Sequence, residues 1–171
     1  RPIAVSTVRG VPVDAGRKRV AAVWRDRGLS SGERVARIDA LAGGLGEHPP
    51  GARFERAGAR DSAGDETGAG PLYRRAIELG LGDARRTRAT IQLASTIRNL
   101  GKIDEAIALL EAERRRGSTA LRDELSAFTA LTLVSAGDPV RAVSVALTAL
   151  APHLTLYTRS VTGYAAELVD D

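Results

Sequence analysis

Few residues in this chain could do chemistry. Histidine occurs twice, at His48 and His153, and cysteine is absent. The lack of cysteine excludes disulfides, thiolate metal sites and thiol nucleophiles. His48 precedes Pro49-Pro50 in a connecting stretch, and His153 follows Pro152 between helical stretches. A serine–histidine–aspartate relay needs an imidazole held by an orienting carboxylate. Both histidines instead read as solvated or capping residues. No histidine pair stands at i, i+3 or i, i+4, so no metal site is expected. Asp104-Glu105 and Glu111/Glu113 are assigned to exposed helix faces, with Glu111 reaching Arg115 one turn on. Gly64-Asp65-Glu66-Thr67-Gly68-Ala69-Gly70 follows no strand, and Gly80-Leu81-Gly82 leads to no Lys-Ser/Thr pair, so no phosphate loop is expected. These absences predict a protein with no cofactor, no metal and no enzymatic activity.

Charge narrows the partners. The 171 residues hold 25 Lys+Arg and 21 Asp+Glu, a net +4. Residues 1–60 contain 12 basic and 6 acidic side chains, and residues 61–171 contain 13 and 15. The basic surplus therefore belongs to the first third. Arg74-Arg75, Arg85-Arg86 and Arg114-Arg115-Arg116 could form an anion-binding surface, but 114–116 end a helix, where the dipole favours positive charge. Aromatic residues make up only 4%, too few for a base-stacking platform. Nucleic acid is not an expected partner. No run reaches the ~18 apolar residues of a membrane span, and Arg1–Asp14 shows no run of secretory type. The cytoplasm is the expected location.

The elements that would position any site are helices. Residues 1–14 read as an extended or disordered arm, broken by Pro2, Gly10 and Pro12. Residues 15–171 read as one domain. Residues 15–46 form N-terminal helices, with Gly28 as a stop and Ser30 or Ser31 as a cap. Helical spacing then predicts 52–63, 67–79, 84–100, 103–115, 119–136, 139–150 and 154–169. Asp83 and Ser118 stand where caps are wanted, and Pro139 suits a first turn. No strand of useful length is expected after residue 14.

An internal period ties these helices together. Gly64, Gly101 and Gly137 are 37 and 36 residues apart. Seven residues before them stand Ala57, Ala94 and Ala130; five after stand Ala69, Ala106 and Ala142. Twelve after stand Ala76, Glu113 and Ala149. Small residues on both sides of a glycine stop let two antiparallel helices approach closely. The segment Gln92-Leu93-Ala94-Ser95-Thr96-Ile97-Arg98-Asn99-Leu100-Gly101-Lys102-Ile103-Asp104-Glu105-Ala106-Ile107 carries the pattern of a small residue, an aliphatic and Leu-Gly-x-x-x-Glu-Ala. It resembles the tetratricopeptide repeat, in the style of stand-alone bacterial members. The copy with Pro71-Leu72-Tyr73-Arg74-Arg75-Ala76-Ile77 departs in its first helix, where Arg56 and Arg60 replace apolar residues.

The resemblance implies an all-α, right-handed solenoid of helix–turn–helix repeats at 52–82, 83–117 and 118–151, with 15–46 as a degenerate leading pair and 153–170 as a capping helix. It also implies a concave groove lined by the first helix of each pair, binding a peptide or partner helix. The groove residues would be Phe54, Gly58 and Asp61, then Arg88, Gln92, Ser95 and Asn99, then Phe128, Leu131 and Ser135. The chaperone-binding subset clamps a carboxylate with Lys and Asn at matching positions. No Lys accompanies Gln92, Ser95 and Asn99, so that activity is not expected. A competing reading places a small anionic ligand against Arg88 and Arg98. Phe128 and Leu131 could be covered by the final helix. Trp24, or the stripe Tyr157, Val161, Tyr164 and Leu168, could support a homodimer.

Overall fold

The computed structural model describes residues 13–44 and 49–170. The arm expected at 1–14 falls almost wholly outside the described residues, as does His48. Nine α-helices and one short 3-10 turn occur among the described residues, with no strand. Contacts divide the chain into two compact units, residues 1–79 and 80–171.

The first unit holds α1 (Val13–Arg25), α2 (Ser31–Gly43), α3 (Pro50–Asp61) and α4 (Glu66–Glu78). Gly28 follows α1, and Ser30 caps α2 through a reciprocal pair with Glu33. Those hydrogen bonds from Ser30 hold the Glu33 carboxyl below its ordinary value. Val23, Ile38 and Ala59 join α1, α2 and α3 in one apolar cluster. Beside it, Asp39 of α2 accepts from Arg56 Nε at 2.7 Å and from Arg60 at 3.0 and 2.8 Å. This explains the two arginines at positions that are usually apolar. They bind a carboxylate across the α2–α3 packing, with their stems against the helices.

Hydrogen bonding to Arg60 is the main reason the Asp39 carboxyl sits below its ordinary value of 3.8. A depressed folded value means stability that is complete above the unfolded value and lost as pH falls through the folded one. Asp39→Asn is expected to cost about 2 kcal/mol at pH 7 and to flatten the acid limb of the stability profile below about pH 4. Urea titrations of both proteins across that range measure both effects.

The second unit holds α5 (Asp83–Asn99), α6 (Ile103–Arg115), α7 (Arg122–Ser135), α8 (Pro139–Leu150), a 3-10 turn at Ala151–His153, and α9 (Thr158–Glu167). The repeat register is visible in the backbone. Gly64, Gly101 and Gly137 have φ of 77, 80 and 79°. The next residue in each case donates back over the glycine: Asp65 to Arg60 O, Lys102 to Ile97 O, and Asp138 to Leu133 O, at 2.9 to 3.0 Å. Only a residue tolerant of positive φ closes a helix this way. All six flanking alanines are buried.

Two caps differ from expectation. α5 starts after Gly82, with Asp83 already in its first turn. α7 starts later than expected, after Leu121 at φ 55°. Ser118 donates to Asp83 and accepts from the N–H of Ala120 instead of capping α7. α9 is also shorter than 154–169, because Tyr157 at φ 66° interrupts the path into it.

Candidate functional site

The residues expected to line the groove have different fates in the two units. In the first unit the expected surface is filled from within the chain. Phe54 is 3% exposed, its ring 6.1 Å from that of Tyr73. It is a core residue, and this corrects its assignment to a partner-binding face. Asp61 is half-buried and accepts from the Tyr73 hydroxyl at 3.3 Å. Gly58 lies under Trp24; a Cβ there would come within 3.5 Å of the indole. The Trp24 N–H donates to Glu55 at 2.8 Å, and the Arg34 guanidinium stacks over the ring at 5.9 Å. α1 thus supplies an aromatic cover for α3. Nothing in the local sequence around Trp24 signals that contact, which spans 31 residues.

In the second unit the row on α5 survives. Arg88 and Asn99 are exposed, and Gln92 and Ser95 are half-buried. Their spacing of four, three and four residues places them on one stripe. The opposite face of α5 buries Thr87, Leu93, Ala94 and Ile97 among others. Gln92 Oε1 is enclosed and accepts no hydrogen bond. α7 packs against both α5 and α6. On it Leu131 is 52% exposed, Phe128 is half-buried, and Ser135 bonds back to the Leu131 carbonyl. α9 packs on α8 and leaves Leu131 uncovered. The final helix therefore does not close this face.

One polar cluster escaped the sequence reading. Glu113 is 3% exposed, not on a solvated face. Its carboxylate accepts from Thr87 Oγ1 at 3.0 Å and from Arg86 Nε at 3.3 Å, with Arg116 at 3.6 Å. Arg116 also approaches Asp83 at 3.7 Å, and Arg115 approaches Glu111 at 3.9 Å. The 114–116 run is thus largely engaged with carboxylates of its own unit. The signal in the sequence was register: Glu113 occupies the position held by Ala76 and Ala149 in the other copies.

His153 lies 3.0 Å from Asp123 on an exposed surface. No cluster of potential metal ligands occurs among the described residues. None of the described helices is long and apolar enough to cross a membrane.

Residues 50–168 match the family model described as Tetratrico peptide repeat. The chain belongs to the tetratricopeptide repeat family. The match begins at α3, so α1 and α2 precede it. Searches of curated proteins and of solved structures returned no match. Tetratricopeptide repeats are, in general, scaffolds for protein–protein interaction, and the paired helices with buried alanines at each turn follow that architecture.

Proposed function

We propose that this tetratricopeptide repeat protein is a non-catalytic, cytoplasmic interaction module, and that its second unit holds an extended peptide or a partner helix along α5 and α7. The observation that carries this reading is Gln92. Its enclosed Oε1 lacks a donor, in the middle of a row of polar side chains. An unpaired buried acceptor costs about 1–3 kcal/mol. A turn of the side chain toward a peptide N–H would recover that cost on binding. Asn99 and Ser95 add donors and acceptors along the same stripe, and Leu131 adds an apolar contact.

The reading predicts a trade-off. Gln92→Leu should raise stability by about 1 kcal/mol, because it removes the unpaired oxygen. The same change should weaken capture of a partner from lysate. Thermal melts and affinity capture with mass spectrometry measure the two quantities. A companion variant, Arg88→Ala with Asn99→Ala, should abolish capture without moving the melting temperature. Capture that survives both changes would remove α5 from the binding face.

A further inference from the structure

We infer that Ser118 is a phosphorylation site for a protein kinase with an acidic peptide groove, and that a phosphate there unfastens the junction between α5, α6 and α7. Ser118 follows Arg114-Arg115-Arg116-Gly117. No other serine or threonine of the chain has arginine at both the second and the third position before it. A guanidinium pairs with a carboxylate through two parallel hydrogen bonds. Two guanidiniums at fixed spacing ahead of a hydroxyl let an acidic enzyme surface hold that hydroxyl in line with a nucleoside triphosphate. Arg115 and Arg116 are both exposed. Their own ion pairs are long: 3.9 Å from Arg115 to Glu111, and 3.6 and 3.7 Å from Arg116 to Glu113 and Asp83. None is a short bidentate pair, so the arginines can exchange these partners for the carboxylates of an enzyme.

The hydroxyl sits in backbone that can open. Residues 116–121 connect α6 to α7 without helix, and none of them is buried. Opening this connection therefore exposes little apolar area. Gly117 has φ 73° and Leu121 φ 55°. The left-handed conformation is costly for a residue with a Cβ, so Leu121 must be held in it. Ser118 supplies part of that hold. Its Oγ donates to Asp83, in the first turn of α5, at 2.5 Å, and accepts from the Ala120 N–H at 3.1 Å.

In the transfer, the Ser118 oxygen bonds to the γ-phosphorus as the bond from that phosphorus to the β,γ-bridging oxygen breaks. The hydroxyl proton passes to the base of the kinase, and the nucleoside diphosphate leaves. The product cannot keep the contact it replaces. A phosphoserine carries about −1.5 to −2 charges at pH 7 and offers acceptor oxygens in place of the hydroxyl donor. Asp83 then meets like charge where it now accepts a hydrogen bond. The phosphate also competes with Asp83 and Glu113 for Arg116. The lead-in to α7 thereby loses its tie to α5. These two helices carry the binding face proposed above. A regulatory role for the phosphate rests on that reading, whereas phosphate uptake and melting do not.

The test treats the full chain with the catalytic domain of an arginine-directed serine kinase and magnesium ATP. Phosphopeptide mapping should place the phosphate on Ser118, and Ser118→Ala should take up none. Chain recovered from its native cells should carry the same phosphoserine. The phosphorylated chain should melt about 4 °C below the unmodified one, the shift expected when one hydrogen bond gives way to a close like-charge contact. In an Asp83→Asn background the shift caused by phosphate should fall to less than half, because the opposing charge is gone. A Ser118 that takes up no phosphate from either source, or phosphate found only on other hydroxyls, overturns the inference. So does a phosphorylated chain that melts with its parent. An equal shift in the Asp83→Asn background also overturns it, since the phosphate would then act without the contact that Ser118 makes.

Discussion

Glu113→Ala is expected to lower unfolding stability by about 3 kcal/mol, near the usual cost of breaking a buried charge pair. The sign is informative. Alanine stands at the same register in the other two copies, at Ala76 and Ala149. An argument from repeat consensus therefore predicts stabilisation. The geometry predicts the reverse. The Glu113 carboxylate is 3% exposed and accepts from Thr87 and Arg86. Alanine would leave Thr87, itself buried, with a hydroxyl that has lost its acceptor. It would also leave Arg86 facing α6 without a counter-charge. Glu113→Gln should cost less, because the amide oxygen still accepts from Thr87. The double variant Thr87→Val, Glu113→Ala should lose less than the sum of the single changes, since each removes the other's unpaired partner. Urea denaturation followed by circular dichroism gives all four values. A Glu113→Ala protein as stable as the parent would show that the carboxylate supports nothing.

Tyr73→Ala should cost about 4 kcal/mol, in the range of a large aromatic deleted from a core. Tyr73 has no exposed surface. Its ring packs at 57° to that of Phe54, and its hydroxyl meets Asp61. It therefore supports α3 and α4 through apolar contact and a polar bond together. Tyr73→Phe isolates the second part and should cost about 1 kcal/mol. A similar loss in both variants would assign the effect to the hydroxyl, and would contradict the ring packing as the main contribution. The measurement is the same urea titration, read at pH 7.

The helices and their turns were legible because their signals are local. A glycine stop, an alanine seven residues before it and another five after it all act within two adjacent helices. Gly64, Gly101 and Gly137 adopt the positive φ that such stops require, and the flanking alanines are buried as close-packing predicts. The stripe Arg88, Gln92, Ser95 and Asn99 was legible for the same reason: helical spacing alone places it on one face. Helix starts were read less well. Ser118 could have capped α7, but its hydroxyl found Asp83, 35 residues away.

What remained hidden depends on pairings between distant elements. Whether Phe54 lines a groove or fills a core depends on Tyr73, and whether Gly58 is open depends on Trp24. Arg56 and Arg60 depart from the apolar pattern of the repeat because both donate to Asp39, which their own helix does not carry. Glu113 looked solvated because its own helix places it beside charged neighbours; Thr87, 26 residues earlier, makes it an interior residue. Sequence alone thus determined the repeat, its period, its close-packed alanines and the absence of cysteine chemistry. Tertiary structure decided which faces are covered and which stay open. Periodicity specifies how a helix is divided into faces, whereas burial depends on which other helix arrives at each face.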